Sequence, residues 1–297
     1  MFQDRAFLTG LFEAAVGAAE PDQILSAYLP KLPKGRTVVV GAGKGAAQLA
    51  AAPARVVSLV VSDVPFDDPA QVASGPTVPD MGTREEARRL VKTWKLRFSE
   101  NIQTWLEGEE GQAPLATDRM FSWNIARVIA SAHLSLEAAA ETARQAGIHP
   151  VILSDAIEGE ARDVGKVHAA LVREIVLRDR PFQKPVVLLS GGETTVTIRG
   201  QGRGGRNTEF LLAFALAAEG LPFVALAADT DGIDGSEDNA GAFADGGSMA
   251  RLREKGVSPV DLLMENDAYS AFEALGDLFV PGPTGTNVND FRAILIR

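Results

Sequence analysis

No cysteine occurs in this 297-residue chain, which excludes disulfides and thiolate metal sites and makes a reducing compartment the natural setting. Histidine is scarce: only His133, His149 and His168 are present, no H-x-x-x-H pair exists, and a zinc site is not expected. Long apolar runs are missing as well. The longest, Phe210 to Ala218, is far too short to span a bilayer. The N-terminal MFQDRAFLTGLFEAAVGAAE is broken by Asp4, Arg5 and Glu13, so it cannot serve as a signal-peptide core. Phe7, Leu8, Leu11, Phe12, Ala15 and Val16 mark one face of an amphipathic helix instead. A soluble, cytoplasmic protein is expected. Basic residues are outnumbered, with a net charge of −10 and no basic stripe, which argues against nucleic-acid binding. An anionic substrate would then have to be held by a few local cations or helix N-termini. Lysines and arginines set in glycine-rich loops are therefore the ones to follow.

What is present is an alternation of short β-branched runs with helical stretches. Strands are expected at 37–40, 56–61, 125–131, 150–153, 185–189, 194–198, 223–227 and 293–296. Helices are expected at 5–19, 44–51, 83–95, 100–107, 134–146, 159–176, 207–218, 248–254 and 268–275. Such interleaving indicates an α/β protein with mainly parallel pairing, and the uninterrupted apolar runs are those of strands covered on both faces. The charged, proline-bearing stretch RDRPFQK, Arg178–Lys184, is the expected boundary between an N-terminal domain, 1–182, and a C-terminal domain, 183–297.

Five loops could carry chemistry. In VVVGAGKGAA, Gly41 and Gly43 with Asp63 about twenty residues on resemble a dinucleotide-binding turn, while Lys44 could instead face a phosphate. The Walker spacing is absent, and so is a G-x-S-x-G elbow. Ser62–Asp80 follows a strand as a long polar loop, a kind more often functional than idle. Ser190, Gly191, Gly192 and Glu193 follow another strand and lead into GQGRGGRNTEF. There Gly204 and Gly205 free the backbone, Asn207 opens a helix and Arg206 can grip a phosphate or carboxylate. A hairpin turn with solvated arginines is the plainer reading of the same residues. The stretch AADTDGIDGSEDNAG sets Asp229, Asp231, Asp234 and Asp238 after a strand. Its spacing is not that of a calcium loop; Mg²⁺ held by one or two carboxylates, or a carboxylate accepting a hydroxyl proton, fits better, and a solvated acidic turn is the alternative. Finally, Thr284, Gly285, Thr286 and Asn287 form a turn rich in short hydrogen-bonding groups.

Taken together, VVVGAGKGAA, SLVVSDVPFDDPAQVASGPTVPD, LSDAIEGEARDV, LLSGGETTVTIRGQGRGGRNTEF, AADTDGIDGSEDNAGAF and GPTGTNVNDFRAILI resemble the glycerate 2-kinases with a C-terminal MOFRL region, a family also labelled hydroxypyruvate reductase. The resemblance implies a Rossmann-like N-terminal domain, a smaller α/β C-terminal domain and an active site in the cleft between them. It implies phosphoryl transfer from ATP, with Mg²⁺, to the 2-hydroxyl of D-glycerate, in a possible homodimer. Lys44 and Arg206 fall on the family's basic active-site positions. Asp231 and Asp234 are placed near metal and phosphates, with Asp231 also a candidate catalytic group.

One departure from the family stands out. Relatives carry a long stretch with a glycine- and serine-rich loop between the GAGK helix and the APARVVSLVVSDV strand. Here GAAQLA runs directly into AAPARVV, a connection short for a parallel crossover. A missing segment is therefore expected near Leu49–Ala52, with neighbouring Cα atoms further apart than about 3.8 Å. An NAD(P)-dependent hydroxypyruvate reductase is the competing reading, and a non-catalytic nucleotide-binding protein the third.

Overall fold

The computed structural model describes residues 2–31, 56–75, 77–79, 81–108 and 121–297. Gly41, Gly43 and Lys44, the strand expected at 37–40, the helix expected at 44–51 and the junction expected near Leu49–Ala52 lie outside these residues. The chain divides into two compact units.

The larger unit comprises Met1–Leu29, Val61–Phe66 and Ile129–Arg297. Its centre is a six-stranded sheet built from β3 (His149–Ser154), β5 (Val186–Gly192), β7 (Phe223–Asp229), β8 (Gly241–Asp245), β9 (Leu278–Phe279) and β10 (Asp290–Ile296). The spatial order is β3-β5-β10-β7-β8-β9. Only β3 and β5 pair in parallel; β10 runs antiparallel to both β5 and β7, and the remaining pairs are antiparallel too. The expectation of mainly parallel pairing is thus overturned. Burial on both faces makes strands apolar throughout whichever way their neighbours run, so composition could not decide direction.

Side chains alternate across this sheet with the period of two that a strand imposes. Val186, Leu188, Ala225, Ala227, Ile294 and Ile296 join a core with α6 (Ala161–Arg178), α7 (Arg206–Ala217), α8 (Ser248–Glu254) and α10 (Ala268–Leu275). Val187, Leu189, Leu226, Ala228, Ala293 and Leu295 join a second core with α1 (Phe2–Gly17) and α5 (Ala132–Gln145). The amphipathic reading of α1 holds: Leu8, Leu11, Phe12 and Ala15 are buried, and Phe7 and Val16 lie at the edge of the same core. Because β3 and β5 are sheet neighbours, the boundary expected at 182/183 runs through the interior of this unit. RDRPFQK links α6 to β5 within one sheet system and separates nothing.

The smaller unit comprises Pro30–Val60 and Asp67–Val128. Its described elements include α3 (Arg84–Thr93) and α4 (Glu100–Glu107). Thr83 and Glu86 form a reciprocal capping box at the start of α3. β1 (Val57–Val61) and β2 (Ile125–Ala130) form a separate two-stranded sheet, and each runs across the division of the chain. Further elements are α2 (Pro21–Tyr28) and α9 (Pro259–Met264) in the larger unit, together with the short parallel pair β4 (Gly159–Glu160) and β6 (Thr194–Thr195).

Candidate active site

The strand register creates the site. Asp290, the first residue of β10, stands opposite Gly192 on one side and Asp229 on the other. The carboxyl ends of β5 and β7 and the start of β10 therefore meet at one edge of the sheet, where α/β proteins place ligands. The 190–195 turn, the 229–234 loop and the 284–289 loop all issue from that edge, and α7 begins beside it.

Arg206 is the first residue of α7, and three carboxylates converge on it. Nη2 donates to Asp229 Oδ2 at 2.6 Å and lies 3.4 Å from Asp290 Oδ1, while Nη1 donates to Glu193 Oε1. Burial alone would weaken the hold on its proton, but Asp290 and Asp229 outweigh that and raise its pKa. Asp290 is itself completely enclosed. Oδ1 also accepts from Asn207 Nδ2 at 2.8 Å, and Oδ2 accepts from the Thr194 backbone N–H at 3.1 Å, from Thr194 Oγ1 and from Arg292. Arg292, wholly buried beneath it, also donates to Gly191 O at 3.2 Å and places its guanidinium 5.0 Å from the centre of the Phe210 ring.

Three carboxylates (Glu193, Asp229 and Asp290) thus share two guanidiniums, and Asp231 adds a fourth negative charge near Asp229. The shortage of positive charge registers on Asp229, whose pKa is pushed up to about 7 by burial first and then by Asp231 and Asp290. Asp231 closes a turn by accepting from the Ile233 N–H at 2.8 Å, and Asn287 Nδ2 approaches its other oxygen at 3.4 Å. Thr284 donates from Oγ1 to Thr230 O at 2.6 Å and from its N–H to Asp231 O at 3.2 Å, so the 284–289 loop is tied onto the aspartate loop. Gly285 supplies the positive φ of 79° at the tip of that loop, and Thr286 turns inward to Ala19 O.

Several expected ligand-binding residues have internal work. Asp234 is the clearest correction. Both of its oxygens are taken by the start of α7, through the Asn207 N–H at 2.9 Å, the Thr208 N–H at 2.8 Å and Thr208 Oγ1 at 2.8 Å. It caps the helix from across space, with a pKa pushed up to about 6 by burial against the pull of those bonds. Metal ligation does not fit it. A Cβ on Gly205 would sit 2.3 Å from Asp234 Oδ1, so this cap requires glycine there, and Gly204 packs on the same turn. Asn207 is buried between Asp234 and Asp290. Ser190 is also buried, with its hydroxyl 3.1 Å from His168 Nε2. The other ring nitrogen of His168 lies 2.9 Å from Val164 O, which can only accept, so Nδ1 carries the proton and Ser190 donates to Nε2. Burial holds the pKa of His168 down to about 4 and keeps the ring neutral. Gly192 combines a φ of 111° with a backbone approach that would put a Cβ 2.2 Å from Ile157 N. Glu193, exposed and paired with Arg206, stays available to a ligand.

Arg206, Glu193 and Asp231, expected from the sequence, lie together at this edge, whereas Asp290 and Arg292 were given no role there. Both lie before the strand expected at 293–296, whereas β10 begins at Asp290, and an acid and an arginine two apart were the signal that could have marked them. Beside Arg206 opens a cleft of about 720 Å³, lined by Glu158, Gly159, Glu193, Thr194, Thr195 and Val196. Among the described residues, no group of three or more histidine, aspartate and glutamate side chains gathers into a metal cage.

Residues 186–290, which hold nearly all of this constellation, match the model of the MOFRL family. That stretch is the chain's MOFRL region. Residues 48–107 match a domain of unknown function (DUF4147). The chain is 49% identical over 82% of its length to a putative hydroxypyruvate reductase of Agrobacterium vitis, covering 63% of that protein. It is 38% identical to the D-glycerate 2-kinase of Thermotoga maritima, covering 82% of this chain and 57% of that one. Identity to the glycerate 2-kinase of Pyrococcus horikoshii is 41%, over 81% and 56% respectively. Among solved structures, the crystal structure of the Thermotoga maritima glycerate kinase superposes with a TM-score of 0.73 at 36% identity, covering 82% of this chain and 58% of that one. The fold is accordingly the mixed α/β fold of those structures. The chain spans roughly three fifths of the length of the curated relatives it matches, between 56% and 63% for these three.

Proposed function

We propose that the chain acts as a glycerate 2-kinase, transferring the γ-phosphoryl group of ATP to the 2-hydroxyl of D-glycerate to give 2-phosphoglycerate. The observation that carries the reading is Arg206 held at the sheet edge by Asp229 and Asp290, in a chain 38–41% identical to proteins named glycerate 2-kinase. Phosphoryl transfer needs positioned, neutralised charge more than covalent help from the protein. Arg206 supplies a fork that two carboxylates pre-orient. Asp229, with a pKa of about 7, is suited to accept the proton of the attacking hydroxyl near neutral pH. Asp231 is set for metal or phosphate contact, beside Asn287 and the Thr284–Thr286 turn.

The donor set fits Mg²⁺. Carboxylates outnumber guanidiniums around Arg206, and Mg²⁺ is commonly held by one or two carboxylates together with substrate phosphates. Asp231 would hold it, with Asp229 adjacent; Asp234 is committed to its helix. When bound, the ion supplies neutralisation of the phosphate oxygens. Lys44 enters as a phosphate contact on the strength of the family resemblance alone.

The relatives named putative hydroxypyruvate reductase favour a second reading, reduction of hydroxypyruvate by NADH or NADPH. One purified preparation decides between them. ADP formation dependent on both D-glycerate and ATP supports the kinase. Hydroxypyruvate-dependent NADH oxidation with no ADP formed would replace it with the reductase.

A further inference from the structure

Arg206 faces three carboxylates of very different exposure. The side chains of Asp229 and Asp290 are 5% and 0% exposed, and both occupy Nη2. Glu193 is 50% exposed and occupies Nη1, on the wall of the cleft that Arg206 shares with Gly159 and Thr194–Val196. Asp290 is also fixed by Thr194, Asn207 and Arg292, and Asp229 by the Asp231 N–H. Glu193 makes no bond beyond the one to Arg206 among those described. Of the three carboxylates on the guanidinium, Glu193 is the exposed one and lies on the cleft wall, so it is the one an entering anion would displace.

We infer that Glu193 is an affinity-setting stand-in for the substrate: its carboxylate holds the cleft-facing nitrogen of Arg206 until an anionic group of the substrate, a phosphate or a carboxylate, exchanges with it. The inference rests on the kinase reading only for the identity of that anion. Moving a half-exposed carboxylate into water costs little. Displacing Asp229 or Asp290 would strand buried charge. Glu193 thus guards the guanidinium against weakly binding anions and keeps it oriented while the cleft is empty. Its removal should strengthen binding.

Calorimetric titrations test this, using wild type, Glu193→Gln, Arg206→Ala and the double variant. Each protein is titrated separately with ATP, D-glycerate and inorganic pyrophosphate. Glu193→Gln is expected to bind at least one of the three about three- to fivefold more tightly than wild type, the size of a partly exposed ion pair. The gain should vanish when Glu193→Gln is added to Arg206→Ala. Tightening toward ATP and pyrophosphate assigns the exchange to a phosphate; tightening toward D-glycerate assigns it to the carboxylate. Equal or weaker binding of all three, a gain that persists without Arg206, or no binding by any of the proteins overturns the inference. A gain through Arg206 in a preparation with no glycerate-dependent ADP formation would leave the exchange standing and sink the kinase reading.

Discussion

At the scale of single residues, the chemistry turns on how many charges share a small dry volume. Asp229 is buried, lies beside Asp231 and Asp290, and keeps its proton up to a pH of about 7 despite its bond to Arg206. Two consequences follow from the sign of that shift. In catalysis, a base that titrates near 7 gives kcat/KM a rising limb centred there, and Asp229→Asn should abolish that limb along with most turnover. In stability, the folded state holds a proton that an unfolded aspartate gives up near pH 3.9, so the contribution of Asp229 falls as pH rises from about 4 to about 7. Asp234, with its pKa at about 6, has the same sign. His168, held down to about 4, has the opposite sign, because an unfolded histidine binds a proton below about 6.5. The comparison must therefore be differential: urea denaturation at about pH 4.5 and about pH 7, roughly the ends of that window, should show Asp229→Asn gaining stability relative to wild type at the higher pH. A constant difference would mean that Asp229 ionises normally. Arg206 was legible in the sequence because glycines isolated it in a loop. Asp290 and Arg292 were not, because they lie before the strand expected at 293–296 and local sequence gives no sign of which charged residues neighbouring strands will enclose.

At the scale of elements, α7 organises the site. It is buried along most of its length, and its first turn begins at Arg206, so whatever fixes that turn also aims the guanidinium. Asp234 does so by accepting from two backbone N–H groups that would otherwise have no intrahelical partner. Asp234→Ala is expected to cost about 2–4 kcal/mol, combining a lost cap with buried donors left unpaired. The expected signature in urea unfolding is a lower midpoint, with Asp234→Asn losing less because one acceptor oxygen remains. A loss of Mg²⁺ affinity with unaltered stability would instead return Asp234 to the metal. Helices were well marked at this scale: those at 100–107, 248–254 and 268–275 lie where the apolar spacing puts them. β8 was missed because Gly-Ala-Phe-Ala-Asp has no β-branched residue, and the central place of β10 was invisible. A strand's partners are set by chain topology, and nothing within seven residues encodes them.

For the whole molecule, the division of the chain follows contacts rather than composition. Residues from the first thirty positions and from 129 onward build one unit, so α1 covers a sheet whose central strand is formed by the last residues of the chain. Ligand linkage is the natural test at this scale. If ATP with Mg²⁺ binds the folded chain alone, a concentration of about 100 Kd stabilises it by about 2.7 kcal/mol, visible as a rise in the thermal midpoint. No shift with nucleotide, D-glycerate or both would show that this chain does not form a complete binding site. The sequence by itself determined the α/β class, the helix faces, the MOFRL resemblance and the loops where chemistry collects, because periodicity and glycine-rich turns are local properties. Only the tertiary structure decided that β10 runs antiparallel between β5 and β7, that Asp234 caps a helix and that Asp290 and Arg292 sit beneath Arg206. Those facts depend on which distant segments share a sheet edge, and on the burial that then sets their charge.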